Sequence, residues 1–301
     1  MGPRVVSLIA SATEIVCWLG FEKSLVGVSH ECDYPQSVRA LPRLSEPSFA
    51  VAGTSAEIDA RVRNAAQDAL SIYKVDRERL WALAPDLVIT QDQCAVCAVS
   101  LEQVEKSLAR PGFSPKLLSL APHSLEGVFD DIRRVAAALG AEAVAASKLR
   151  ALEARMQGVA RAARDLPRPT VACLEWLEPL KASGHWIPSL IDMAGGLDLF
   201  GAPGRDGPWL DFEALARRDP EVVIAAPCGW AIPKAKQELR LLPRFKELKA
   251  YRTGRFFAGD GNAYFSRPGP RVAETLEILA ELFHPGAFRF GREGAGWRRF
   301  S

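Results

Sequence analysis

The chain has 301 residues, enough for two packed cores, with 48% hydrophobic and 25% charged residues and a net charge of +2. This is the balance of an ordinary soluble globular protein; it offers no electrostatic case for nucleic acid, and no apolar run approaches the ~20 residues of a membrane span. Six cysteines in a chain of this length do not make a disulfide scaffold, so the thiols are read as reduced.

In chain order, Arg4 to Ala10 is an apolar run that predicts a strand. Ser11 and Glu14 behind it have capping-box spacing, and Gly20 is placed to end the helix they would start. Cys17, beside Trp18 in that helix, reads as a small core residue. A strand over Leu25 to Ser29 opens into His30-Glu31-Cys32-Asp33-Tyr34-Pro35. Thr54 and Glu57 form a second capping box, for a helix to about Leu70. Ser71 to Val75 predicts a short strand, Arg77 to Ala84 a short helix, and Leu87 to Thr90 a buried strand emptying into Gln91-Asp92-Gln93-Cys94-Ala95-Val96-Cys97. A helix over Leu101 to Ala109 and a strand over Lys116 to Leu120 complete this half, which exits at Pro122-His123.

From Ser124 to Asp165 the pattern is helical, a short helix and a long one broken at Gly140. Val171 to Leu174 then predicts a strand opening into Glu175-Trp176-Leu177-Glu178-Pro179, and His185-Trp186-Ile187-Pro188 precedes a helix over Ser189 to Ala194. Glu221 to Ala225 is a strand opening into Pro227-Cys228-Gly229-Trp230, and Phe256 to Ala258 another opening into Asp260 to Pro270. A helix over Arg271 to Phe283 ends the fold, leaving Arg289, Arg292, Arg298 and Arg299 as a solvated basic end.

Val75 through Ile89 aligns without gaps on Leu210 through Ile224, matching Glu78 with Glu213, Leu80 with Leu215 and Pro85 with Pro220. Each copy is a helix, a proline turn and a buried strand. The fold class is therefore α/β, two Rossmann-like lobes with parallel sheets: residues 1–123, connecting helices over 124–166, and residues 167–301.

Open α/β sheets bind ligands at the carboxyl ends of their strands. His30, Glu31, Cys32, Gln91, Asp92, Cys94, Cys97, His123, Cys173, Glu175 and Cys228 all fall at predicted strand ends. Thiolates with imidazole suit zinc, copper(I) or an iron–sulfur cluster, so Cys32, Cys94, Cys97, Cys173 and Cys228 are candidate metal ligands; the competing reading is reduced cysteines beside a cleft for an organic ligand. A C-x-x-C without a second pair fits only one corner of a zinc site. Cys94 or Cys97 with His30 lacks an oxyanion-hole signature, so no catalytic residue is assigned. Trp176, Trp186, Trp209, Trp230, Tyr264 and Phe265 suit the walls of a site for a flat or bulky ligand.

Ser7-Leu8-Ile9-Ala10-Ser11-Ala12-Thr13-Glu14 through Gly20, then Val26 to Ser29 with Asp33-Tyr34-Pro35, resembles the start of the ABC-importer solute-binding proteins for cobalamin and siderophores. Pro85 to Ile89, Ser183-Gly184 through Gly195-Gly196, Trp209 to Ile224, Ile232-Pro233-Lys234, and Tyr264-Phe265-x-Arg267 to Pro270-Arg271 continue the resemblance over nearly the whole chain. It is nearest to the cobalamin binders. It implies two lobes joined by a rigid helix, no enzymatic activity, a metal-chelate ligand between the lobes, and an ABC permease as partner, with Glu102 the counterpart of a docking acid. The ligand-binding set it implies, with the strand-end residues, is His30, Glu31, Cys32, Gln91, Asp92, Glu175, Trp176, His185, Trp186, Trp209, Trp230, Tyr264, Phe265 and Arg267. Glu31, Cys32 and Gln91 depart from the family pattern, as do Ala263 and Ser266 where acids are expected; the implied pocket is richer in thiols and poorer in aromatics. The other reading is a cytosolic relative holding a metal ion or iron–sulfur centre through those cysteines, with redox or enzymatic work. The first strand begins by Arg4 or Val5, so the chain as written reads as cytoplasmic, and as periplasmic if a leader has been removed.

Overall fold

Val5–Ser7 (β1) is buried at all three positions, as a strand covered on both faces must be. The computed structural model describes residues 2–67, 72–92, 99 and 101–300. They form two compact units: Met1–Gly53, Glu57–Pro122 and Phe129–Leu149 in the first, and Thr54–Ala56, His123–Val128 and Arg150–Ser301 in the second.

In the first unit β1 leads into α1 (Ala10–Trp18), and Leu25–Val28 (β2) follows. Ser45–Pro47 (β3), α2 (Ser55–Gln67), Tyr73–Val75 (β4) and α3 (Arg77–Leu83) come next, then Leu87–Gln91 (β5), α4 (Leu101–Leu108) and Lys116–Leu120 (β6). The sheet order is β2-β1-β5-β6, every pair parallel, while β3 and β4 form a separate antiparallel pair. Val6, Leu8, Leu44, Leu80, Val88 and Val104 make the core that fixes the strand ends. The capping box at Ser11 does not form. The helix starts at Ala10, so Ser11 already lies inside the first turn, 3% exposed. At the other end Gly20 has φ +90°, its N–H bonds the Cys17 carbonyl, and the Phe21 N–H bonds that of Val16. This is the reciprocal closure that a left-handed glycine makes at a helix end.

Gly140, at φ +67°, divides α5 (Leu125–Leu139) from α6 (Glu142–Ala163), the short and long helices that the sequence predicts.

The second unit continues with Thr170–Leu177 (β7), Leu180–Ala182 (β8), α7 (Ile187–Met193), Leu197–Asp198 (β9), Trp209–Leu210 (β10), α8 (Phe212–Arg218) and Val222–Ala225 (β11). It closes with α9 (Ile232–Leu241), α10 (Lys249–Arg252), Phe256–Gly259 (β12), α11 (Val272–Phe283) and Trp297–Arg299 (β13). Strands β9, β7, β11 and β12 pair in parallel, and β8, β10 and β13 extend the sheet antiparallel. Those three additions, with α9 and α10, were not predicted. At the basic end Arg289, Arg298 and Arg299 are exposed, as predicted, but the segment is anchored to the fold. Trp297 packs edge-on against Phe257 with ring centroids 5.3 Å apart, its Nε1 donates to Glu281, and Arg292 reaches Glu277 at 2.5 Å. Arg298 and Arg299 then lie on an edge strand, where charge discourages further pairing.

The internal repeat is one structural unit used twice. Asp76 and Asp211 are both N-caps, their side chains accepting from the N–H three residues on. Leu80 and Leu215 are both 0% exposed. Ala84 and Asp219 both end their helix in the left-handed region, at φ 40° and 35°, just before the proline.

Candidate functional site

Each unit brings its own set of predicted residues to the strand ends. In the first, the turn after β2 is held by Arg43, which donates to the carbonyls of Ser29 and Cys32 at 2.8 and 2.6 Å. His30 is half-buried; its Nδ1 meets Ser45 Oγ at 2.9 Å, and its ring lies 5.3 Å from that of Tyr73. Burial first, and then Arg43, holds its pKa below the ordinary imidazole value. Glu31 is half-buried on the same turn, and Asp92 is exposed just past β5. Gln91 is the last strand residue and 3% exposed, so it is not in the following loop as predicted.

Cys32 and Cys173 do not stand as open metal ligands. Cys32 is 1% exposed, with its sulfur 3.0 Å from Thr13 Oγ1 and 3.3 Å from Ser29 Oγ. Cys173 lies in mid-strand rather than at a strand end, takes a hydrogen bond from Ser183 Oγ at 3.2 Å, and burial pushes its thiol pKa up. A buried thiol satisfied by hydroxyls behaves as a small core group. Cys228 is half-buried, with its N–H bonded to the Glu175 carbonyl. Among the described residues no group of three or more His, Cys, Asp and Glu could hold a metal ion. Cys94 and Cys97, the centre of the predicted thiol site, lie outside the described residues. The cytosolic metal-centre reading therefore has no support among the described residues.

The second unit carries the more developed site, and a β-bulge builds it. Leu174 pairs with Ala182 and Trp176 with Lys181, so Glu175 is one residue too many for its partner strand. The bulge turns Glu175 to the same side as Lys181, whose Nζ it meets at 2.9 Å. Lys181 is also opposite Trp209 on β10. Directly opposed residues share a face. Trp176, Lys181 and Trp209 thus form a row across three strands, and Trp230, buried, packs against Trp176 with ring centres 5.4 Å apart and planes tilted by 59°. Lys181 Nζ lies 5.5 Å from the Trp209 ring centre, and Lys234 Nζ 4.0 Å from that of Trp230.

Beside this row Lys181 also meets Asp206 at 2.8 Å, and His185 Nε2 lies 3.5 Å from the same carboxylate. The His185 ring stands 5.4 Å from that of His123 and 6.0 Å from that of Trp186. Burial lowers the His185 pKa and raises that of Glu175; the two carboxylates outweigh burial at Lys181 and raise its own. His185 is a non-glycine residue at φ 55°, and Nε1 of Trp176 and Nε1 of Trp186 are buried without a protein partner. Orphaned donors of this kind are costly unless a ligand meets them.

Tyr264 is half-buried under the Arg271 guanidinium, 5.2 Å from its ring centre. Phe265 and Arg267 are each 4% exposed: the phenyl ring packs against Gly259, and Arg267 donates to Asn262 at 2.9 Å. These two support the loop after β12 rather than line a surface. Lys181 and Asp206 were not singled out from the sequence, and Lys234 only as part of a stretch that carries the resemblance, without a role. Leu180-Lys181-Ala182 does alternate apolar and charged, but three residues are too few to be read as a strand.

A family model described as "Periplasmic binding protein" matches residues 5–263. The vitamin B12-binding protein of Vibrio vulnificus is 21% identical over 283 residues, 93% of this chain and 89% of that one. An uncharacterized ABC transporter substrate-binding lipoprotein of Bacillus subtilis is 20% identical, over 95% of this chain and 81% of its own. Among solved structures, a periplasmic heme-binding protein from Pseudomonas aeruginosa superposes with a TM-score of 0.71 at 22% identity, covering 95% of this chain and 94% of that one.

Proposed function

Because the chain belongs to the periplasmic binding protein family, we propose that it is a non-enzymatic receptor for a metal chelate with a broad flat face, of the corrinoid or tetrapyrrole kind. The observation that carries this reading is the row Trp176, Lys181 and Trp209, an aromatic shelf interrupted by one fixed ammonium. Indole faces stack on extended π-systems and on the apolar face of a macrocycle. The charges around the shelf are balanced, Lys181 and Lys234 against Glu175 and Asp206, which suits a ligand of low net charge better than a polyanionic ferric catecholate. The names of the vitamin B12-binding and heme-binding relatives support the same ligand classes, and that of the lipoprotein relative supports an ABC permease as partner.

Equilibrium dialysis against cyanocobalamin, hemin, a ferric catecholate and a ferric hydroxamate tests this. Retention of one or both flat chelates is expected. Retention of the ferric siderophores alone, or of nothing, overturns the reading.

A further inference from the structure

We infer that Asp206 is a stand-in for an anionic group of the ligand, which displaces it from Lys181 on binding. The inference rests on the functional reading above and names the chemistry that the site selects: a carboxylate or phosphodiester on the rim of a flat chelate.

Lys181 is held by two carboxylates of different standing. Glu175 comes from the bulge of a central strand, and its side chain is 25% exposed. Asp206 comes from the loop before β10, and its side chain is 64% exposed. The loop itself is fixed: His185 N–H bonds the Arg205 carbonyl at 2.7 Å, Gly204 N–H that of His185 at 3.0 Å, and Ala182 N–H that of Pro208 at 3.0 Å. Asp206 can therefore leave by rotating its side chain into solvent, with no movement of the backbone. Asp206 is the exposed partner of this pair, at 64% against 18% for Lys181, so its carboxylate regains water on leaving and the incoming anion replaces it at the ammonium, whereas Glu175 stays and keeps the ammonium on the shelf. Since Trp176 and Trp209 flank Lys181 on one face, a chelate stacked on them brings its rim to Nζ. The vacated position also lies beside His185, whose Nε2 is 3.5 Å from the Asp206 carboxylate. Lys181 is thus the residue that distinguishes ligands by their rim, and Asp206 its built-in competitor.

The test compares probes with and without the anion: hemin against its dimethyl ester, which differs only at the carboxylates, and cyanocobalamin against dicyanocobinamide, which lacks the nucleotide loop with its phosphodiester. Tryptophan fluorescence titrations of the full chain give the affinities. Asp206→Asn is isosteric and exposed, and is expected to tighten the anion-bearing probe about two- to fivefold while leaving its anion-free counterpart unchanged. Lys181→Met is expected to weaken the anion-bearing probe about tenfold, and Lys181→Arg to restore most of that loss. The carboxylate pair and the phosphodiester pair report separately, so the arm that responds identifies the anion. If Asp206→Asn weakens or fails to change the binding of both anion-bearing probes, while wild-type protein binds them, this inference is overturned and the functional reading stands. If wild-type protein binds none of the four, the functional reading fails and this inference with it.

Discussion

Replacing Gly207 by alanine should loosen the loop that carries Asp206, and the cost can be worked from the structure. A Cβ at Gly207 would lie 2.8 Å from the carbonyl carbon of Ala182 and closer still to its oxygen. Both atoms are backbone, so no side chain can turn away to make room. The loop must lift from β8 and from the turn after it, and three hydrogen bonds join them: Ala182 to Pro208, His185 to Arg205 and Gly204 to His185. At about 1 kcal/mol each the loss is ~3 kcal/mol. In a core of ~150–250 residues this lowers Tm by roughly 6–12 °C. Thermal unfolding followed by circular dichroism and by tryptophan fluorescence measures it, the second probe because Trp176, Trp186, Trp209 and Trp230 all belong to this unit. Gly158→Ala is the control: its Cβ would meet nothing within 4 Å in the middle of α6, so stability should rise by ~0.5–1 kcal/mol. A Gly207→Ala protein that melts with wild type would refute the close backbone approach and the fixed loop that follows from it.

Leu80→Ala and Leu215→Ala remove the equivalent buried leucine from the two copies of the repeat. Each should cost about 2–5 kcal/mol in denaturant unfolding, and a value near zero for either would refute the equivalence. Glu277→Gln removes the buried charge shared by Arg155 at 2.6 Å and Arg292 at 2.5 Å, and should cost about 2 kcal/mol, since both arginines retain some water; an unchanged unfolding midpoint would contradict the folded C-terminal end. His30, His185 and His284 are held below the ordinary imidazole pKa, by burial first. The unfolded chain therefore takes up protons near pH ~6.5 that the folded chain refuses, so stability is complete above that pH and declines as pH falls through it. The carboxylates of Asp131, Asp198, Glu175 and Glu274, all raised chiefly by burial, act in the opposite sense at lower pH. A Tm that stays flat or rises between about pH 7.5 and about pH 5.5 would refute the histidine assignment.

The repeat was legible because every signal in it is local: a capping aspartate, one leucine, a proline and an apolar run lie within fifteen consecutive positions of each copy. The strand ends followed from the same signals, which is why His30, Glu31, Asp92 and Trp230 stand where the sequence puts them. What failed to show was non-local. Cys173 looks like a strand-end thiol until β7 is seen to run three residues further, to Leu177. The bulge at Glu175 exists only relative to β8, and the pairing of Asp206 with Lys181 spans 25 residues with no periodic pattern between them. Trp297 to Arg299 carries two arginines in three residues, and becomes a strand only because Phe257 and Glu281 hold the indole.

The central claim is that the indole shelf of the second unit binds a flat metal chelate. Isothermal titration of the full chain with cyanocobalamin and with hemin, repeated on Trp176→Ala, tests it most directly. The expected result is saturable one-to-one binding of at least one of them, weakened about tenfold or more by the substitution, as the loss of a central aromatic contact does. No saturable heat from either ligand, or an affinity that Trp176→Ala leaves unchanged, would contradict it.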